Sequence, residues 1–280
     1  MKISHSKHSA FSMLELIFVI VILGIVSSIG ANIIAQTYES YIVQRALYRA
    51  TSKTELALNE IANRLRYAIP STVGFRSDTS GSFKSITTTN SGNDKVLQWV
   101  AYDGDSFEAI NCNTENASCR RSGWSGFCDI DAYTPGSTTL PTPGSHMDLT
   151  STIIANLGGS IASARIYLPD GSDVNISGGS EENITLSAAM PSGKEIYERY
   201  KLAWSSYALS IEGGDLYLYY NFLPIVGTNL GNKKSLLLKS VSNFRFLGSE
   251  GSMRIKICKI EKIGADADDN ITSCKEKVIF

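Results

Sequence analysis

The 280-residue chain predicts an α+β protein, with a long N-terminal α-helix packed on a β-rich head of antiparallel sheet. Three patterns predict it. An apolar run holding a single charge opens the chain, and an apolar repeat at three and four residues follows. Short β-branched and aromatic runs, separated by Gly, Ser, Asn and Pro, fill the remainder. The averages conceal this division: 43% hydrophobic and 19% charged residues with a net charge of −1 describe an ordinary globular chain. They exclude a low-complexity or highly charged disordered protein and give no basic excess of the kind that marks many nucleic-acid binders.

Residues 11 to 35, FSMLELIFVIVILGIVSSIGANIIA, contain 18 hydrophobic side chains and one charge, Glu15. No group charged at neutral pH lies between Leu16 and Tyr38, a length of roughly 35 Å as a helix against a hydrocarbon core of about 30 Å. This is a membrane-spanning candidate. Lys2 and Lys7 precede it, so the positive-inside tendency puts the N-terminus in the cytoplasm and the rest of the chain outside. A cleaved secretory signal has a shorter apolar region followed by a small-x-small site, and this run continues into further helix. A carboxylate near the start of a membrane helix is costly unless it has a partner.

The stretch Ser9-Ala10-Phe11-Ser12-Met13-Leu14-Glu15-Leu16-Ile17 resembles the processing site of type IV prepilins and type II secretion pseudopilins. The likeness lies in a short basic leader, a small residue, then Phe and an apolar run with Glu at its fifth position. It implies that residues 1–10 are a leader removed by a prepilin peptidase, which cuts between Ala10 and Phe11 and methylates the Phe11 amine. It also implies that Glu15 neutralises the Phe11 amine of a neighbouring subunit in a filament whose core is built from residues 11–35. Two opposite charges in a low-dielectric bundle are tolerable together and costly apart. Gly24 falls where pilins often carry glycine. Ala10 replaces the usual glycine, and Asn32 stands where major pilins commonly have a kinking proline, which points to a minor subunit. The implied partners are the peptidase, other pseudopilins or pilins, an inner-membrane assembly platform and a secreted substrate. The implied location is the bacterial inner membrane, single-pass with a periplasmic head, with incorporation into a pseudopilus or surface pilus. A signal-anchored periplasmic enzyme or binding protein unrelated to pili is the alternative.

Residues 36–69 continue the helix as an amphipathic segment. Val43, Leu47, Ala50, Thr54, Ala57, Ile61, Leu65 and Ala68 form one stripe, and Pro70 predicts an end at or just before Ile69. The head, residues 71–280, has 82 hydrophobic residues among 210. Its predicted strands are 83–89, 95–102, 164–168, 204–211, 216–222, 236–247, 253–260 and 275–280. Gly213-Gly214 predicts a primed hairpin turn pairing Glu212 with Asp215, Ile211 with Leu216, Leu209 with Leu218 and Tyr207 with Tyr220. That apolar face is expected on the core, toward the helix. Residues 103–160 read as a cysteine-bearing insertion, with TPGSTTLPTPGS as an exposed loop. The closing SLLLKSVSNFRFLG and MRIKICKIEKIG resemble the C-terminal region of the larger minor pseudopilins of the J type.

Cys258 and Cys274 lie equidistant from Asp266, so a hairpin centred there brings them opposite one another as a disulfide. Two of Cys112, Cys119 and Cys128 are expected to pair in the insertion, leaving one free. Zinc is the sharper alternative, but these spacings are not those of short-paired structural ligands, and no metal is expected. Asp266, Asp268 and Asp269 make a weak calcium candidate, without the glycine and distal Glu of an EF-hand. Arg254, Lys256 and Lys259, read as lysines and an arginine on an edge strand, join Arg120, Arg121 and Trp124 as the only nucleic-acid candidates, and nucleic acid is not the expected partner. Asn175, Asn183 and Asn270 match the extended bacterial glycosylation pattern. No nucleotide-binding, zincin or hydrolase-elbow motif occurs, and a triad would have to use His146 in the loop after TPGS. The chain is therefore expected to be non-enzymatic.

Overall fold

The computed structural model describes residues 12–87, 94–111, 121–190, 197–249, 252–264 and 270–279. A single helix, α1 (Met13–Leu65), is followed by β1 (Gly74–Arg76), β2 (Lys84–Ser85), β3 (Val96–Ala101), α2 (Gly104–Glu108), β4 (Ile110–Asn111) and β5 (Arg121–Ser122). Next come β6 (Thr139–Pro141), α3 (Met147–Asn156), β7 (Arg165–Tyr167), β8 (Asp173–Ser180), β9 (Asn183–Leu186) and β10 (Lys201–Ala203). The chain closes with β11 (Ser205–Glu212), β12 (Asp215–Phe222), β13 (Lys234–Leu238), β14 (Val241–Ser249), β15 (Ser252–Lys262) and β16 (Asn270–Ile279). The architecture is α+β, one long N-terminal helix followed by antiparallel sheets. Two compact units divide it: one holds the helix up to Arg49 with Glu261–Ile271, the other Ala50–Ile260 with Thr272–Phe280.

The larger unit is the head. Its main sheet runs β13-β12-β11-β3-β1-β2, and a three-stranded sheet runs β14-β15-β16. Between them, Ala57, Leu58, Ile61, Ala62 and Leu65 of α1 bury against Phe75, Leu97, Trp99, Leu209 and Leu218 of the main sheet and Phe244, Phe246, Ile255 and Ile257 of the smaller one. The helix supplies that stripe because its apolar residues recur at three and four. Ala50 and Thr54 extend the buried stripe, the Thr54 hydroxyl donating to the Ala50 carbonyl at 2.7 Å. Val43 and Leu47, predicted in the same stripe, are 42% and 46% exposed.

Helix α1 stops at Leu65, four residues before the predicted end at Ile69. Sheet hydrogen bonding wins over helix propagation there: Ala68 bridges Ala101, and the Ile69 N–H donates to the Val100 carbonyl at 2.9 Å. The Gly213-Gly214 hairpin has both φ angles positive (59° and 84°) and pairs Glu212 with Asp215, Ile211 with Leu216 and Leu209 with Leu218. Tyr207 does not face Tyr220. A bulge between Ser206 and Ala208 pairs Ala208 with Tyr219 and Ser206 with Phe222, and Asn221 takes up the extra residue at φ 54°. The predicted strand 236–247 is two strands in different sheets, divided at Ser240 (φ 58°), whose N–H is held by Asp215 Oδ1.

The predicted insertion, residues 103–160, contributes with residues 161–203 to a second core. A sheet in the order β10-β7-β8-β9-β6 packs Leu140, Ile166, Ile176, Ile184 and Leu202 against Met147 and Ile154 of α3. Within TPGSTTLPTPGS, residues 134–139 are mostly exposed, as expected, whereas Leu140, Thr142 and Ser145 are fully buried, so the second half is not an exposed loop. Proline and glycine set its turns, while a hydroxyl network satisfies its polar groups: Thr142 Oγ1 lies 2.6 Å from Ser145 Oγ and 2.7 Å from the Tyr200 hydroxyl. His146 caps α3, its Nδ1 accepting from the Leu149 N–H at 3.3 Å, and Gly158 at φ 84° follows the helix end.

Candidate functional site: a bare apolar stem bearing one carboxylate

The first part of α1 is helical because nothing interrupts it: no proline occurs, and Thr37 folds its hydroxyl back onto the Ile33 carbonyl at 2.7 Å. Between Met13 and Ile34 it displays fifteen large apolar side chains, each more than half exposed. They lie on all sides of the helix. Removing such side chains from water stabilises by roughly 1 to 2 kcal/mol each, so this stem leaves on the order of 20 kcal/mol of burial unrealised. Among the described residues there is thus one helix long and apolar enough to cross a membrane. Glu15 is the only charged residue between Met13 and Tyr38, and it lies in the first turn, where the helix dipole favours a carboxylate. Its backbone N–H donates to the Ser12 carbonyl at 3.0 Å. Ala10 and Phe11, the predicted cleavage pair, lie outside the described residues.

Cys258 and Cys274 form a disulfide joining β15 to β16. Cys128 is unpaired and fully buried in the second core, and burial pushes its thiol up to about 12, so it stays protonated. Of the three insertion cysteines, two of which are expected to pair, Cys128 is left free, its side chain packed among Leu140, Tyr200 and their neighbours. Cys112 and Cys119 lie outside the described residues, as do Asp266, Asp268 and Asp269. Among the described residues, no group of three His, Cys, Asp or Glu is arranged to hold a metal ion. Asn175 is exposed within β8 and backbone-paired to Arg165, while Asn183 and Asn270 are exposed at the first positions of β9 and β16.

Most of the described basic and aromatic residues considered for nucleic acid are already engaged within the head. Arg121 is held by Glu181 at 2.8 Å and Glu182 at 3.5 Å, and the Trp124 indole is 2% exposed with its N–H on the Asp103 carbonyl. Arg254 pairs with Glu276 at 3.1 Å, and Lys259 is 4% exposed with its ammonium on the Ile260 carbonyl. Lys256 is exposed, and Arg120 lies outside the described residues. Strand β15 is the middle strand of its sheet, not an edge. His146 caps α3 through its Nδ1.

Sequence reading passed over an aromatic cleft in the head whose walls include Tyr102, Phe107, Trp124, Phe127 and Tyr200. The available signal was the density of rings within the segment taken as an insertion. No family model, no curated protein and no solved structure matches the chain.

Proposed function

We propose that the chain is a minor pilin-like subunit of the J-type pseudopilin kind, processed by a prepilin peptidase and assembled into a type II secretion pseudopilus or a type IV pilus. The observation that carries this reading is the stem: a helix bare on all sides, with one carboxylate at its start, preceded by Ser9-Ala10-Phe11. A plain membrane anchor needs only apolar length. The carboxylate adds a cost that a neighbouring subunit's Phe11 amine would offset, giving the filament register as well as stability. In this reading the stem resides in the inner membrane with a cytoplasmic N-terminus before assembly. The head, built around the C-terminal part of the same helix, faces the periplasm and meets sister subunits or a secreted protein.

Coexpression with a prepilin peptidase, followed by intact-mass measurement, tests the processing step. The expected product begins at an N-methylated Phe11. A chain still beginning at Met1, or cut elsewhere, would overturn the reading. Glu15→Ala should leave cleavage intact and weaken co-assembly with partner subunits; unchanged assembly would remove the pairing role of Glu15.

A further inference from the structure

The aromatic cleft of the head measures about 840 Å³, within the range of ligand-binding pockets. Its rings form one connected floor. Phe107 lies 4.8 Å from Trp124, Tyr200 lies 5.7 Å from Trp124 on another side, and Tyr102 meets Trp124 edge-on at 6.3 Å between centroids. Phe107 and Phe127, each 43% exposed, stand open to solvent, and Pro70 and Pro169 add further apolar wall.

The polar tips of the floor are turned away from the cleft. The Trp124 N–H donates to the Asp103 carbonyl at 2.8 Å, the Tyr200 hydroxyl bonds Thr142 at 2.7 Å, and the Tyr167 hydroxyl donates to the Pro224 carbonyl at 2.6 Å. What remains available is ring edge and ring face, which accept an apolar side chain or a proline better than a sugar needing several fixed donors and acceptors. Trp124, Tyr167 and Tyr200 are also at most 4% exposed, so they offer no open platform on which successive nucleic-acid bases could stack.

Charge selects further. Among the described residues, Arg199 and Lys201 are the only charged ones lining the cleft, and no carboxylate lines it. Among the described residues neither cation has a carboxylate partner, although the head of 19 basic and 23 acidic residues is net negative. Lys201 Nζ sits 5.1 Å from the centroid of Tyr102. The two cations are separated by one residue, so on an extended segment their heads fall on one side, roughly 7 Å apart. Carboxylates two positions apart on an extended ligand have the same spacing.

We propose that this cleft binds an extended segment of another polypeptide that carries an aromatic or proline side chain beside a Glu-X-Glu pair. The apolar side chain fills the ring-walled cleft, and the two carboxylates meet Arg199 and Lys201. This binding is independent of how the stem assembles, and it holds for a subunit or for a monomer.

Fluorescence anisotropy tests it, using the full chain in detergent micelles and a fluorescein-labelled peptide Gly-Ser-Glu-Ser-Glu-Ser-Trp-Gly, in which both Glu and the Trp fall on one side of an extended segment, at low salt. Saturable binding is expected, weakened about tenfold when both Glu are replaced by Gln, in line with two partly screened ion pairs. Arg199→Glu with Lys201→Glu should produce a similar loss, and Phe127→Ala a loss of about fivefold, which reports the apolar half of the site separately. All three positions are exposed, so an unchanged thermal midpoint accompanies each variant. Absence of saturable binding, equal affinity for the Gln peptide, or a charge-reversed protein that still binds would overturn the proposal. Tighter binding of an oligothymidylate or an oligogalacturonate than of the peptide would overturn it as well, in favour of a strand or glycan site.

Discussion

Up to Ile34, α1 carries large apolar side chains on every side and leaves each more than half exposed; from Ala50 to Leu65 it confines them mostly to one stripe, and that stripe is buried. The two stretches share one uninterrupted helix, yet they pose different physical problems. A stripe is satisfied by a single sheet face, and here Leu97, Trp99, Leu209 and Leu218 provide it. An apolar surface around the whole circumference needs lipid or other helices on all sides, which one head cannot offer. The carboxylate follows the same division. Glu15 sits alone in the apolar part, while Glu60 in the other part lies on the wet face, 2.9 Å from Arg64.

The largest expected effect breaks the covered half. Leu65→Ala, at a fully buried position, should cost the head about 3 to 4 kcal/mol in chemical denaturation followed by tryptophan fluorescence. Ile22→Ala should change the same measurement by less than about 0.5 kcal/mol, because Ile22 is 58% exposed and already faces solvent. Equal losses at the two positions would abolish the contrast. Removing the Cys258–Cys274 bridge, by double substitution to Ser or by reductant, should lower head stability by about 3 kcal/mol and leave membrane association unchanged.

Ile22→Lys probes the bare half from the other direction. A lysine there disfavours insertion by about 3 kcal/mol, so alkaline carbonate extraction should release part of the chain from membranes, whereas Leu56→Lys, on the exposed side of the covered half, should release none. The smallest effect lies in the head. Burial raises the Asp103 carboxyl above the ordinary carboxylate range, and among the described residues its Oδ2 has no hydrogen-bond partner, while Oδ1 caps α2 by accepting from the Ser106 N–H at 3.1 Å. A carboxyl raised in the fold favours the native state below its unfolded pKa and loses that advantage as pH rises through the folded one. Asp103→Asn keeps the cap and removes the buried charge. It should raise the thermal midpoint by about 2 °C at neutral pH and confer no gain near pH 3.

Much of the helix and the hairpin was legible because both follow local periodicity. The 3.6-residue repeat places Ala57, Ile61 and Leu65 on one side, and two glycines with positive φ force the turn that sets Leu209 beside Leu218. Helix α3 was not legible. Its Thr-Ser-Thr-Ile-Ile run is β-branched and follows a Pro/Gly-rich stretch, so its helicity rests on the His146 cap and on burial of Met147 and Ile154, which no local pattern announces. The same holds for Cys128. Two of the three insertion cysteines were expected to pair with one left free, and only the packing of the second core shows Cys128 to be a free thiol turned inward.

The sequence by itself determined that this protein has a bare apolar stem with one carboxylate, a helix stripe that needs a sheet, and a cysteine pair placed to close a hairpin. Each of these depends on residues near in the chain, where spacing alone dictates which side chains meet. The tertiary structure decided that the supposed insertion contributes to a second core, that the strand through Ser240 is divided between two sheets, and that rings from residues 102 to 127 meet Tyr200 around one cleft. Those outcomes depend on contacts between distant segments, whose energies come from burial and hydrogen-bond satisfaction and leave no period in the sequence.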